Sequence, residues 1–100
     1  MQRYWVYMLR CVDESYYVGV TSDVERRLVE HCNGDLSEGA YVYKRLPFAL
    51  VYQRSFSYVL DAIAWEKRIK RWTRAKKEAL IRGDQDALES LASRRGGRPR

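Results

Sequence analysis

Residues 4–20 read YWVYMLRCVDESYYVGV, and this stretch determines the first two strands of the predicted sheet. Two runs rich in aromatic and β-branched residues, 3–11 and 15–20, flank the polar segment Val12-Asp13-Glu14, which predicts a β-hairpin. Bulky apolar side chains occupy both faces of each strand. This pattern favours a sheet that is covered on both sides over a sheet with one face in water.

A helix is predicted directly after the hairpin. Ser22 and Glu25 have the spacing of a capping box at its start, and Gly34 is the expected C-terminal stop. The apolar stripe that would face the sheet comprises Val24, Leu28 and Cys32. Arg27 and His31 are four residues apart, so they lie on one line beside that stripe, along the seam between helix and sheet.

The middle of the chain predicts a third strand and a second helix. Residues 35–46 are loop-like, and the apolar run from Phe48 to Gln53 predicts a strand that begins after Pro47. From Tyr58 to Trp72 the apolar residues recur with the period of a helix. Their stripe is formed by Ala62, Trp65, Ile69 and Trp72. Glu66 falls on the edge of this stripe, where a carboxylate is costly without a cation.

The C-terminal part predicts two further helices and a basic tail. Thr73 is the expected N-cap of a helix that ends at Gly83, and Asp84 the N-cap of a last helix through Leu91. We expect residues 1–92 to form one domain and residues 93–100, a Gly/Pro/Arg segment, to be disordered. Three strands and four helices are thus predicted.

The chain is basic, with a net charge of +6 and a pI near 9.5, which favours nucleic acid first and a membrane surface second as partners. Four of the six excess charges belong to arginines of the tail, so the remainder is only mildly basic. Cys11 and Cys32 have no neighbouring ligand at zinc spacing and predict free, partly buried thiols. With no signal-like or membrane-spanning run, a cytoplasmic protein is expected.

Four segments carry a resemblance to a known family: Tyr7, Tyr17-Val18-Gly19, residues 21–31 and residues 65–70. Their order and spacing resemble the GIY-YIG endonuclease family, in particular its small stand-alone bacterial members, over residues 4 to about 80. Two features depart from the family pattern. Trp5 replaces the first glycine and valines replace the isoleucines, and no residue matches the downstream asparagine of longer members.

The resemblance implies an α+β fold with a small three-stranded antiparallel sheet flanked by helices, and cleavage of DNA with a divalent metal, Mg²⁺ or Mn²⁺, as in DNA repair. It implies a catalytic set of Tyr7, Tyr17, Arg27, His31 and Glu66, with Glu66 as the metal ligand. Taken singly, these residues would be ordinary core aromatics and surface charges. Further cations are predicted to contact DNA: Lys44, Arg45, Lys67, Lys70 and Arg71.

Each residue type suits phosphodiester hydrolysis. Arg27 can donate two hydrogen bonds to a phosphate, and one glutamate suffices for magnesium, which otherwise uses water and phosphate oxygens. Tyr7 is the candidate that takes a proton from the attacking water, directly or through a second water, while Tyr17 and His31 orient the network. Two alternatives stay open: a nucleic-acid-binding module with little cleavage, and a subunit activated by a protein partner that supplies DNA-binding surface.

This site requires a particular hairpin geometry. Side chains alternate along strands, so Tyr7 and Tyr17 share a face only if paired residue numbers sum to an even number, as in Tyr7 opposite Gly19. A two-residue turn at Asp13-Glu14 would give an odd sum and separate the two phenols. We therefore predict a connection of three or five residues, or a bulge.

Overall fold

The structure is a computed structural model that describes residues 2–34 and 42–96, with side chains described up to Ser90. Three strands and four helices follow one another: β1 (Tyr4–Cys11), β2 (Tyr16–Thr21), α1 (Val24–Asn33), β3 (Phe48–Phe56), α2 (Val59–Lys70), α3 (Arg74–Arg82) and α4 (Gln85–Gly96). The strands form one antiparallel sheet in the order β2-β1-β3. The predicted α+β class and three-stranded sheet are confirmed.

The hairpin has the register that the two tyrosines require. Tyr7 pairs with Gly19, an even sum. The amide of Cys11 donates to the carbonyl of Ser15 at 2.9 Å, and the amide of Glu14 donates to the carbonyl of Cys11 at 2.8 Å. Three residues thus connect the strands, and Glu14, the last of them, takes the left-handed φ of 69° that such loops need. A connection of three or five residues, or a bulge, was predicted, and the three-residue form is the one that occurs.

The hairpin loop is fixed by Asp13. Its carboxylate accepts hydrogen bonds from the Ser15 amide at 3.1 Å, the Ser15 hydroxyl at 2.6 Å and the Arg45 Nε at 2.9 Å. The two bonds from Ser15, followed by the charge of Arg45, hold the pKa of Asp13 below its usual range. A solvent-exposed loop therefore gains three charge-assisted contacts from one side chain.

Helix α1 differs from its prediction at its start and in its buried face. Its N-cap is Asp23, whose carboxylate accepts from the Arg26 amide at 3.1 Å, so the predicted cap at Ser22 is one residue too early. Cys32 is exposed, which corrects its place in the buried stripe, because His31 occupies the position against the sheet instead. Gly34 ends the helix with a φ of 71°, as predicted.

Helices α1 and α2 cover opposite faces of the sheet. The face of Tyr7 and Leu9 packs with Val42, against which Tyr17, Leu28 of α1 and Phe48 are partly buried. On the other face, Trp65 of α2 donates its indole N–H to the hydroxyl of Tyr52, the β3 residue that pairs with Met8. The prediction that both faces are covered is thus confirmed.

The later elements have somewhat different bounds from those predicted. Strand β3 extends three residues beyond Gln53, and α2 ends at Lys70 rather than at Trp72. Val42 and Tyr43 are helical within the segment predicted as loop, and residues 35–41 lie outside the described residues. Among the described helices, none has the length and apolar character needed to cross a bilayer.

The chain separates into two compact units, residues 1–70 and residues 71–100. In the second unit, Thr73 caps α3 by accepting from the Lys76 amide, and Gly83 ends it with a φ of 71°, both as predicted. Asp84 accepts from the Ala87 amide at 3.0 Å. Helix α4 runs to Gly96 instead of ending at Leu91, so residues 93–96 of the predicted tail are helical, and residues 97–100 lie outside the described part.

Candidate active site

A cavity of about 390 Å³ lies beside the edge strand β2. Three elements line it: Tyr17, Val18, Gly19 and Val20 of β2, Arg27 of α1, and Glu66 and Lys70 of α2. Because α1 and α2 cover opposite faces, their side chains can meet here only beyond the edge of β2. The cavity thus brings together a phenol, a guanidinium and a carboxylate that are distant along the chain.

Glu66 is the buried acid of this cavity. Glu66 is 8% exposed, and its Oε2 lies 2.6 Å from the Nζ of Lys70, one turn later on α2. The predicted position of Glu66 at the edge of the apolar stripe is reproduced, since α2 buries Ala62, Glu66 and Ile69. The Lys70 ammonium offsets the cost of placing this carboxylate out of water.

Arg27 presents a guanidinium that is only partly satisfied. Its Nε lies 3.2 Å from the Oε1 of Glu30, three residues later on α1. The contact lacks the direction of a hydrogen bond, and the buried Nε has no hydrogen-bond partner among the described residues. Glu30 therefore holds Arg27 by charge and leaves donors for another anion. Glu30 was not among the residues predicted for the site, although a spacing of three on a helix is the signal for such a pair.

Tyr7 and His31 lie behind the cavity wall. Both residues are fully buried, and the Tyr7 hydroxyl and His31 Nε2 form a hydrogen bond of 2.8 Å. The ring of Tyr17 meets that of His31 edge-on, with centroids 5.1 Å apart. A buried phenol in direct contact with a buried imidazole forms a polar pair that apolar packing alone would not require.

Gly19 separates this pair from the cavity. A Cβ built on Gly19 would lie 2.5 Å from the Tyr7 hydroxyl oxygen and 2.6 Å from the adjacent ring carbon. Only glycine lets the phenol approach the backbone of β2 this closely. Since Gly19 lines the cavity, the Tyr7 hydroxyl lies directly against the cavity wall.

The other predicted DNA-contacting cations are dispersed. Lys44 and Lys67 are exposed, and Lys70 lines the cavity. Arg45 is half-buried, forms an ion pair with Asp13, and accepts a backbone hydrogen bond from Val12, so it supports the hairpin loop. Arg71 begins the second unit. Of these cations, the structure brings only Lys70 into the cavity.

The donor set fits a metal that takes few protein ligands. Within the described residues, no three His, Cys, Asp or Glu side chains are placed to hold a metal together. Magnesium is commonly bound through one or two carboxylates, with water and substrate phosphate completing its shell, and Glu66 meets that requirement. Cys11 is buried, and burial raises the pKa of its thiol, while Cys32 lies on the surface; neither suits a thiolate site.

Comparison with known proteins identifies a family and several similar proteins. The model of the GIY-YIG catalytic domain matches residues 3–79. A UPF0213 protein of Halobacterium salinarum is 44% identical over 76 residues, covering 76% of this chain and 96% of that protein. A UPF0213 protein of Staphylococcus saprophyticus is 39% identical over 82 residues, covering 81% of this chain and 96% of its own length.

Solved structures show the same fold. The solution NMR structure of a UPF0213 protein from Bacillus halodurans superposes with a TM-score of 0.54 at 35% identity, covering 91% of this chain and 95% of that one. The solution NMR structure of a protein from E. faecalis gives a TM-score of 0.55 at 26% identity, covering 100% and 97% of the two chains. The architecture thus occurs in experimentally determined relatives.

Proposed function

We propose a specific activity for this chain, which belongs to the GIY-YIG catalytic-domain family and so to a family that implies an endonuclease. The protein hydrolyses DNA phosphodiester bonds with a divalent metal, Mg²⁺ or Mn²⁺, and acts on single-stranded or branched DNA rather than on a sequence. One observation carries the proposal: Tyr17, Arg27 and Glu66, from three elements, line a single cavity.

Arg27 would bind the scissile phosphate. Its guanidinium is only partly satisfied by Glu30, and it can donate two parallel hydrogen bonds to non-bridging oxygens. These bonds strengthen as negative charge builds on the phosphate in the transition state, so Arg27 would act mainly on the rate of the chemical step.

Tyr7 and His31 would handle the proton of the attacking water. A phenol is a weak base unless its own proton can leave, and the 2.8 Å contact with His31 Nε2 gives that proton an acceptor. The Tyr7 hydroxyl lies against Gly19, which lines the cavity, so a bridging water would relay the proton from the cavity to the phenol. Tyr17, which lines the cavity and contacts the His31 ring, would orient this pair.

Glu66 would hold the metal, which when bound supplies Lewis-acid stabilisation of the phosphate and of the leaving oxygen. In the structure Lys70 neutralises Glu66, so the ammonium would have to leave the carboxylate when a metal binds. Lys70, on the exposed side of α2, would then be available to the DNA backbone. The polar groups of the cavity suit phosphate and water, and contacts to phosphate carry no sequence information.

The proposal is tested by incubating the protein with labelled single-stranded, duplex and branched DNA, with Mg²⁺, with Mn²⁺ and with a chelator. Arg27→Gln should lower the cleavage rate about 10²- to 10³-fold. The matched control is Arg26→Gln, which removes the same charge from the preceding residue of α1, where the side chain is largely exposed and also pairs with Glu30. It should cleave at nearly the wild-type rate.

The metal ligand has a similar pair of variants. Glu66→Gln should abolish metal-dependent cleavage, whereas Glu25→Gln, on the exposed first turn of α1, should not. Cleavage that survives Glu66→Gln, or that proceeds unchanged in chelator, contradicts the proposal.

A nucleic-acid-binding module with little intrinsic cleavage is the second candidate. The observation that favours it is the 2.6 Å contact between Lys70 and Glu66, because a neutralised carboxylate attracts a metal less strongly. Salt-dependent binding without turnover on any of the three DNA forms would support this reading. If cleavage appeared only after a co-purifying protein was added, the activity would belong to a partner-dependent subunit.

A further inference from the structure

The opposite edge of the sheet carries an alternating stack of cations and aromatic rings. The Cζ of Arg54, on β3, lies 4.8 Å from the centroid of the Phe56 ring and 5.0 Å from that of the Trp65 ring. The Cζ of Arg68 lies 5.6 Å from the Trp65 ring. Both arginines are exposed, and both rings are half-buried. Two guanidinium groups are thus oriented by aromatic faces at the surface.

This stack lines a second cavity, of about 340 Å³, which we call the β3-edge pocket. Its lining residues are Arg54, Phe56, Asp61, Ala64, Trp65 and Arg68. Asp61 is the only acid among them, and within residues 2–34 and 42–90 no carboxylate lies within ion-pair distance of Arg54 or Arg68. The pocket therefore combines two positive charges that have no acidic partner there with two aromatic surfaces.

The stack is oriented for binding as well as for packing. The indole N–H of Trp65 donates to the Tyr52 hydroxyl at 3.1 Å and fixes the ring through its edge, while the guanidinium groups of Arg54 and Arg68 lie over the ring. An arginine stacked on a ring keeps its in-plane N–H groups directed outward, where they can bind phosphate at a reduced entropic cost. Nucleobases stack equally well on aromatic rings and on guanidinium planes.

We propose that the β3-edge pocket binds one unpaired nucleotide of a nucleic acid, with its phosphate on the outward N–H groups of Arg54 and Arg68 and its base stacked on this array of guanidinium groups and rings. The inference rests on the proposed function for the class of ligand, and it extends that function by specifying a single-stranded segment outside the cleavage cavity. A base within a duplex is stacked and paired, so it cannot enter a pocket of this kind.

Helix α2 relates the pocket to the candidate active site. Asp61, Ala64, Trp65 and Arg68 repeat at intervals of three and four and form one stripe of the helix, while Glu66 and Lys70 lie on the adjacent stripe. The two cavities lie against the two edge strands of a three-stranded sheet, and those strands are about 10 Å apart at the usual strand spacing. One strand of nucleic acid could therefore occupy both cavities.

The test is fluorescence anisotropy with a short labelled single strand and a blunt duplex of the same sequence, in chelator so that no cleavage occurs. Arg54→Gln and Arg68→Gln should each weaken single-strand binding about five- to tenfold, and should reduce the slope of log affinity against log salt by about 0.7. Trp65→Ala should weaken it about 5- to 100-fold through lost stacking. Duplex binding should change less than twofold.

The control is Arg10→Gln, which removes the same charge from an exposed residue of β1 that pairs with Glu14. It should leave single-strand binding within twofold of wild type. Equal losses for Arg10→Gln and Arg54→Gln, or equal losses on single strand and duplex, would overturn the inference in favour of general electrostatic attraction. If Trp65→Ala unfolds, the variants of the exposed residues Arg54 and Arg68 decide the outcome.

The inference and the proposed function can fail separately. Single-strand binding that depends on Arg54 in a protein that never cleaves would leave the pocket standing and refute the nuclease. Metal-dependent cleavage in a protein whose Arg54→Gln and Arg68→Gln variants bind single strands like wild type would refute the pocket alone.

Discussion

Replacement of Gly19 by alanine tests the central packing feature of the candidate active site. The new Cβ would lie 2.5 Å from the Tyr7 hydroxyl oxygen and 2.6 Å from its ring carbon Cζ. Ordinary contacts between such atoms begin near 3.5 Å, so the ring must move by about 1 Å. Tyr7 is fully buried and bound to His31, so it cannot make this movement without breaking its hydrogen bond.

The cost of Gly19→Ala has two parts. Forcing an extra methyl group into a packed region typically costs about 1–3 kcal/mol, and leaving a buried hydrogen-bonding group without its partner adds about 1–3 kcal/mol. We expect a total loss of about 2–4 kcal/mol, since part of each penalty is relieved by the same movement. For a domain of this size each kcal/mol lowers the Tm by about 4–8 °C, so the Tm should fall by roughly 8–32 °C.

The assay is thermal unfolding followed by circular dichroism, together with metal-dependent cleavage measured well below the lowered Tm. Gly83→Ala is the matched control, because its φ of 71° makes alanine strained there while no heavy atom lies within 4 Å of the added Cβ. It should cost about 1–2 kcal/mol and leave cleavage unchanged. A Tm for Gly19→Ala within about 2 °C of wild type, or full activity in that variant, would refute the reasoning about Tyr7.

Three further outcomes are expected. Tyr7→Phe should lower stability by about 1–3 kcal/mol in urea titrations, because the buried imidazole Nε2 loses its partner, and it should lower cleavage more than it lowers DNA binding. Lys70→Gln should tighten Mn²⁺ binding in calorimetry, because an ammonium no longer competes for Glu66; weaker binding would show that the ammonium supports the site. For Asp13, whose pKa is lowered in the folded state, the stabilisation is complete above its ordinary value of 3.8 and is lost as pH falls through the lower folded value. The Tm of wild type should therefore fall more steeply on acidification than the Tm of Asp13→Asn, and parallel curves would contradict this assignment.

The hairpin register could be predicted because it follows from counting. Side chains alternate with a period of two, so the requirement that Tyr7 and Tyr17 share a face restricts the length of the connection, and the structure has the three-residue form. Helical spacing likewise predicted that Arg27 and His31 share one side of α1, and it predicted the half-buried position of Arg27; His31 instead is fully buried against the sheet. Local periodicity and turn length were sufficient for the register and for Arg27.

Other features depend on choices between local alternatives of nearly equal energy. Ser22 and Asp23 are both good N-cap residues, and the choice of Asp23 shifts the start of α1 by one position. The exposure of Cys32 follows from the rotation of α1, which the Tyr7–His31 hydrogen bond fixes through a contact 24 residues apart in sequence. Spacing within one helix does not contain this information.

The β3-edge pocket shows a different limit. Arg54 and Phe56 are two residues apart on one strand, so their common face could be predicted, but their neighbours on α2 depend on how that helix lies across the sheet. Trp65 was predicted to lie in an apolar stripe, but the Trp65 ring contacts two arginines at the surface. A pattern based on hydrophobicity does not distinguish an aromatic ring that packs in a core from one that stacks on cations.

The placement of polar groups in the first unit argues for function over stability. A small domain has only about 5–15 kcal/mol of net stability. A buried ion pair often contributes no more to that stability than two apolar side chains of similar volume. Yet the buried carboxylate of Glu66 pairs with the exposed ammonium of Lys70 at one wall of the cavity, and Tyr7 is buried with His31 behind the other. Both pairs lie near Gly19 at the edge of β2. Polar pairs that apolar side chains could replace, and that converge on one cavity, support the chemistry proposed for that cavity.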